Sequence, residues 1–240
     1  MNSKQVIKKY QSLVITFFSI IVIFIVAMMI VAFKVDDNEK MTMINLILMV
    51  VLLVISLLFR TVLLGYKYMA GIARVVLKQG KPINFYNNLD SIEYKLIQKG
   101  YQKYANNENY QILYYQENIV KKKVFRTKRL YVVILIKDQT IDFYDKNLHD
   151  EITALQELFP KKERANQYLF NAFKSFNNIY QEDIKALSEV VSYGAGKQFF
   201  TQINIGLNKS DKKAYFLYSD DYYPSTSYKD CVELIKTIIS

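Results

Sequence analysis

The chain has 240 residues, a net charge of +10 and a mean hydropathy of +0.01, an average over two unlike parts. Apolar residues crowd into positions 13 to 64 and charged residues into the remainder, so membrane class has to be settled before fold class. Three Pro, seven Gly, one Cys and one His exclude collagen-like, linker-type and disulfide-built chains, and remove most Cys- or His-based metal and triad chemistry.

Leu13 to Phe33 is a run of 21 residues whose only polar members are Thr16 and Ser19. As a helix it covers roughly 30 Å, the thickness of the hydrocarbon layer. Lys4, Lys8 and Lys9 resemble the charged start of a signal peptide, but the apolar run exceeds the usual core of about 7–15 residues and no small-x-small cleavage site follows. A second apolar run, Met43 to Phe59, is closed by Arg60 and extends to a helix over about 42–64. The connection from Lys34 to Lys40 holds two positive and three negative charges and is too short for anything but an antiparallel hairpin. Lys and Arg are denser on the N-terminal tail and after the second run than in this acidic loop, which predicts both termini in the cytoplasm of a multi-pass cell-membrane protein. Asn208-Lys209-Ser210 is then a chance glycosylation sequon. Thr16, Ser19, Asn45 and Ser56 are the polar residues inside the hairpin. None is ionisable, which favours an anchor over an ion path.

Residues 60 to 78 continue as a basic juxtamembrane helix, with Leu58, Val62, Gly65, Met69, Ile72 and Val76 at coiled-coil spacing. Arg60, Lys67 and Arg74 recur every seven residues as a cationic stripe. Two readings stand: a helix lying on the anionic inner leaflet, or a stalk that pairs with a second copy or with the domain. The division expected is 1–65 for tail and hairpin, 66–82 for this helix and 83–240 for a cytosolic domain.

From Gly80 onward there are 23 Lys and Arg against 19 Asp and Glu, so most of the net charge belongs to the anchor and connector. Asp90 or Ser91 caps a helix running towards Gly100, followed by strands at Tyr110–Gln116, Val124–Ile136 and Thr140–Tyr144. Asp150–Phe159 reads as a short helix. A second helix starts at Pro160, with Ala165, Tyr168, Leu169, Ala172, Phe173 and Phe176 at helical spacing, and a third spans Glu182–Tyr193 and ends on Gly194. Strands at Phe199–Leu207 and Ala214–Tyr218 form a hairpin, and Ser225 or Ser227 caps a last helix with Tyr228, Cys231, Val232, Ile235, Ile238 and Ile239 on one face. The fold class expected is a membrane-anchored α+β protein whose domain, ordered α-β-β-β-α-α-α-β-β-α, contains a mostly antiparallel sheet.

The strongest local charge signal is Lys121, Lys122, Lys123, Arg126, Lys128 and Arg129, interleaved with aromatic residues. It suits a lipid or phosphate surface, joined by Arg60, Lys67 and Arg74, or equally a Lys-protected sheet edge. Nucleic acid is the less favoured ligand. Gly194-Ala195-Gly196-Lys197 lacks the Gly and Ser/Thr of a phosphate loop, since Val191 and Gln198 hold those places. His149 stands beside Asp150 and Glu151, where helix-start chemistry is the simpler reading. Asp220 and Asp221 read as a turn, and Cys231 as a buried thiol.

The order α-β-β-β-α-β resembles the core of the restriction-endonuclease-like nucleases. That resemblance implies an acid on the second core strand and Glu-x-Lys on the next, holding Mg²⁺ and supporting the attacking water. The corresponding stretch is Asp142-Phe143-Tyr144-Asp145-Lys146, without Glu-x-Lys, and the one such triplet, Glu93-Tyr94-Lys95, falls on the first expected helix. The resemblance is one of element order alone. Asp142, Asp145 and His149 are the catalytic candidates if the domain is a membrane-tethered enzyme acting on phosphates or nucleic acid. The leading expectation is a non-catalytic interaction or scaffold domain at the inner leaflet, with no metal or cofactor, whose partners are anionic lipid and a protein partner or a second copy. A ligand sensor or small channel coupled through residues 60–78 is the third.

Overall fold

The computed structural model describes residues 2–86, 88–121, 125–195 and 198–240, and the side chains of these except 118–121, 125–127, 191 and 193–195. Lys122, Lys123, Gly196 and Lys197 therefore lie outside the described residues, as do the side chains of Lys121 and Arg126. The chain forms two compact units, Met1–Leu77 and Lys78–Ser240.

The first unit is a hairpin of two helices, α1 (Ser3–Lys34) and α2 (Asn38–Leu77), both long and apolar enough to cross a membrane. Asn2 caps α1 by accepting from the Lys4 N–H, and Gln5 reaches back to the Asn2 N–H. Only Val35, Asp36 and Asp37 separate the helices, with the Asp37 carboxylate accepting the N–H groups of Glu39 and Lys40. At about 1.5 Å per residue, α2 is about 60 Å long, well beyond a hydrocarbon layer. The covered positions of α1 include Ile7, Tyr10, Val14, Phe17, Ile21, Phe24 and Met28, and those of α2 include Phe59, Leu63, Tyr66 and the buried Ala70 and Ala73. These steps of three and four are a coiled-coil seam, fixed by Phe17 stacked on Phe59 at 5.6 Å and by Val6 packed with Ala70 and Ala73. The seam read from the sequence is a neighbouring face of α2: Leu58, Val62, Met69 and Val76 are exposed, and nothing lies within 4 Å of a Cβ placed on Gly65.

The second unit is a sheet with helices on both faces. Its elements are β1 (Ile83–Asn84), α3 (Leu89–Gln98), β2 (Gln102–Asn106), β3 (Tyr110–Lys121), β4 (Phe125–Ile136), α4 (Lys146–Glu157), β5 (Gln167–Phe176), α5 (Gln181–Leu187), β6 (Val190–Ala195), β7 (Gln198–Asn208), β8 (Lys213–Tyr215) and α6 (Thr226–Ile239). Seven strands lie in the order β1-β8-β7-β5-β4-β3-β2, and β6 pairs with the first half of the β7 edge whose last residues pair with β8. The sheet is mixed, not mostly antiparallel as expected, because β5 runs parallel to both of its neighbours, β4 and β7.

Several expected elements change identity. The stretch after Pro160 is not a helix: its apolar residues form β5, buried on both faces along nearly its whole length. A strand enclosed on both sides is apolar throughout, so a subset of its residues matches a helical period by chance. Thr140–Tyr144 is a turn, and the third strand of the meander is supplied by β2 on the far side. The helix expected over Glu182–Tyr193 stops at Leu187, and Gly194 sits in β6 opposite Phe199 instead of capping a helix. Asn88, in place of Asp90 or Ser91, caps α3, with Ser91 returning the bond. The last helix forms as read: Ser225 accepts the Tyr228 N–H, and Tyr228, Cys231, Val232, Ile235, Ile238 and Ile239 are all buried. The hairpin before it forms with a second strand that ends at Tyr215, short of Tyr218.

Edge strand β2 carries a register shift between Lys103 and Ala105. Gly80 docks the start of the domain, donating its N–H to the Tyr218 carbonyl at 2.8 Å while the Tyr218 hydroxyl donates to the Lys81 carbonyl at 2.5 Å. A Cβ on Gly80 would stand 2.4 Å from a ring that this bond holds in place, whereas one on Gly206 would meet only the methyl tips of Leu187 and Ile179. Gly80→Ala is expected to destabilise the domain by about 1–3 kcal/mol through overpacking and Gly206→Ala by less, read as the difference in denaturation midpoint between the two variants.

Candidate functional site

The residues singled out in the sequence do not meet in one place. Asp142 is exposed and accepts the Tyr144 N–H at 2.8 Å within the turn after β4. Asp145 caps α4, accepting from Asn147 and Leu148 at 2.9 and 3.2 Å. His149 is an exposed residue of that helix's first turn. With Thr140–Tyr144 a turn, the meander is β2-β3-β4, and its last strand contains no carboxylate. Among the described residues no group of three or more His, Cys, Asp or Glu is placed to hold a metal ion. Nearby, Lys174 donates to the Ile141 carbonyl at 2.8 Å and lies over the Phe143 and Phe176 rings at 5.7 and 5.2 Å. Burial holds its pKa below the usual lysine value, against the pull of Asp142, Asp183 and Asp138.

Of the cationic candidates, Arg60 and Lys67 are exposed on α2, Arg74 is half-buried, and the Lys128 backbone N–H meets the Asn166 side chain at 3.5 Å. Arg129 turns inward. It is 6% exposed, donates through Nε to the Gln167 side chain at 2.6 Å and pairs through Nη1 with Asp230 of α6. Burial nevertheless lifts the Asp230 carboxyl above the usual range, outweighing the Arg129 charge.

Asp230 of that ion pair also lines a cleft that sequence reasoning missed. The cleft, about 370 Å³ and open to solvent, is lined by Lys99, Tyr101, Tyr115, Glu117, Tyr131, Asp230, Glu233 and Leu234. Its construction follows from local rules. Lys99 ends α3 and Gly100 takes φ +88°, a left-handed turn in which the Tyr101 N–H bonds back to the Leu96 carbonyl at 3.1 Å. Tyr101 is thereby set at the mouth of β2. In the β3–β4 register Tyr115 faces Tyr131 and Glu117 faces Arg129, and with a period of two all four side chains share one face. The rings form a ladder, Tyr101 to Tyr115 at 5.5 Å and Tyr115 to Tyr131 at 6.3 Å, tilted by 35° and 36°. The Tyr131 hydroxyl donates to Glu117 at 3.3 Å. A ladder of this kind is readable from sequence only once the strand register is known.

Burial pushes the Tyr131 phenol up to about 12, and pushes Tyr101 up as well. Comparison of the chain with protein-family models, with curated proteins and with solved structures finds no match.

Both phenols hold their protons more tightly in the folded domain than in the unfolded chain, where the value is 10.0. The Tyr131 contribution to stability is therefore complete below pH 10 and is lost as the pH rises from there through about 12. Tyr131→Phe is expected to flatten the fall in stability across that window, measured by urea midpoints at stepped alkaline pH.

Proposed function

We propose that this is a membrane protein whose helical hairpin anchors a cytosolic domain with a binding, non-catalytic role at the inner leaflet. The observation that carries the reading is the exterior of the hairpin. The most apolar stretch of each helix has no buried residue, and Phe18, Val22, Ile23, Leu46, Leu53 and Leu57 all stand exposed. Apolar surface of that extent is covered by lipid or by other protein, and each helix is long enough to cross a hydrocarbon layer. Three acidic residues between Lys34 and Lys40, against Lys4, Lys8 and Lys9 at the tail and Arg60, Lys67 and Arg74 along α2, support termini on the cytoplasmic side. The domain's own features fit binding better than chemistry: its carboxylate candidates serve turns and a helix cap, whereas its open cleft gathers aromatic and charged groups.

The single cysteine makes the topology testable. Cys231 is fully buried, and burial pushes its thiol pKa up, so the native chain is silent to thiol reagents while folded. Asp36→Cys is expected to react with an impermeant maleimide on intact cells, and Lys161→Cys only after permeabilisation. The reverse pattern, or release of the chain from membranes by alkaline carbonate, contradicts the proposal.

A further inference from the structure

We infer that the tyrosine-lined cleft between β2, β3, β4 and α6 receives a cationic side chain, a guanidinium above all, presented by a basic segment of a partner protein. This rests on the reading of the domain as a binding module and names the chemistry of what it binds. Three carboxylates, Glu117, Asp230 and Glu233, line the cleft against one cation, Lys99. Asp230 is taken by Arg129, and Glu233 meets Lys229 at 3.4 Å in a half-exposed pair that contributes little. Among the described residues Glu117 meets the Tyr131 hydroxyl, at the long distance of 3.3 Å.

Tyr101 supplies a second, independent sign. The side chain is 7% exposed and lines the cleft, yet its hydroxyl makes no hydrogen bond among the described residues. Its oxygen is not fully enclosed, so it opens on the cleft, where a ligand N–H would pair with it. The same walls exclude other ligands. The carboxylates repel anions, and no three acids converge closely enough for a metal ion among the described residues. A planar cation with five N–H donors matches this spread of carboxylate and phenol oxygens, and it stacks on aromatic rings where an ammonium does not. The open shape suits one side chain of a larger partner better than a free small molecule, which is usually enclosed.

The test titrates the full chain in detergent micelles with N-acetyl-arginine amide, and with the neutral isostere N-acetyl-citrulline amide, following the tyrosine resonances by NMR. The expected result is saturable shifts of the Tyr101, Tyr115 and Tyr131 signals with the arginine probe alone. Glu117→Gln is expected to weaken binding roughly tenfold, and Tyr101→Phe, which keeps the ring, by a smaller factor. Near-ultraviolet dichroism reports whether each variant is folded, and if Glu117→Gln is not, Tyr101→Phe decides the matter. Absence of saturation, equal binding of the citrulline probe, or unchanged affinity in the folded variants overturns the inference. Because binding is read in micelles, these outcomes are separate from those of the topology experiment.

Discussion

Everything in the domain is arranged around one enclosed strand. β5 has parallel neighbours on both edges and buried side chains on both faces, so it offers almost no surface to water. A parallel pair cannot be closed by a tight turn. The chain must therefore cross a face of the sheet between β4 and β5, and again before β7, which it does through α4 and through α5 with β6. One face is filled by Leu148, Leu155 and Leu187 from these crossovers, together with Tyr168, Phe170 and Phe200. The Arg129 pairing depends on the same strand: Gln167, the first residue of β5, stands opposite Arg129 in register and accepts its Nε. The guanidinium so held reaches Asp230, which lines the cleft.

Where the sequence carried a one-sided pattern, it was legible. The last helix has a single buried stripe and a serine cap and forms as read; the β7–β8 hairpin forms too, with its second strand ending at Tyr215 and not at Tyr218. The apolar hairpin was equally plain. The failures share one cause: burial on two sides erases periodicity, so β5 passed for a helix and, with it misread, the parallel core was invisible. Turn chemistry explains the others. Asp142 and Asp145 look like paired acids in a strand, but each satisfies backbone N–H groups two or three residues on. The cleft could not be anticipated, because Tyr101, Tyr131 and Asp230 come together through register and helix placement, neither of which leaves a mark in the local sequence.

The helical hairpin shows how little separates a packing face from an exposed one. Phe59, Leu63, Tyr66, Ala70 and Ala73 form the seam with α1, yet a set shifted by about one residue has the same spacing and similar hydrophobicity. What selects between them is size and company. Alanines at 70 and 73 let Val6 approach closely, Phe17 finds Phe59, and Lys9 lies 5.0 Å above the Tyr66 ring. Asn45 also falls on the covered side, with its carbonyl oxygen buried and unbonded among the described residues.

The irregular edge strand has a further consequence. Molecules confined to a surface meet far more often than the same number in solution, and they meet in similar orientations, so any open strand is repeatedly offered a twin. β2 answers this with its slipped register at Lys103 and Ala105 and with Lys103 itself, drawn to Glu93 of α3. On the proposed anchoring, a straight, neutral β2 would leave a single molecule unchanged and let crowded copies join edge to edge in pairs.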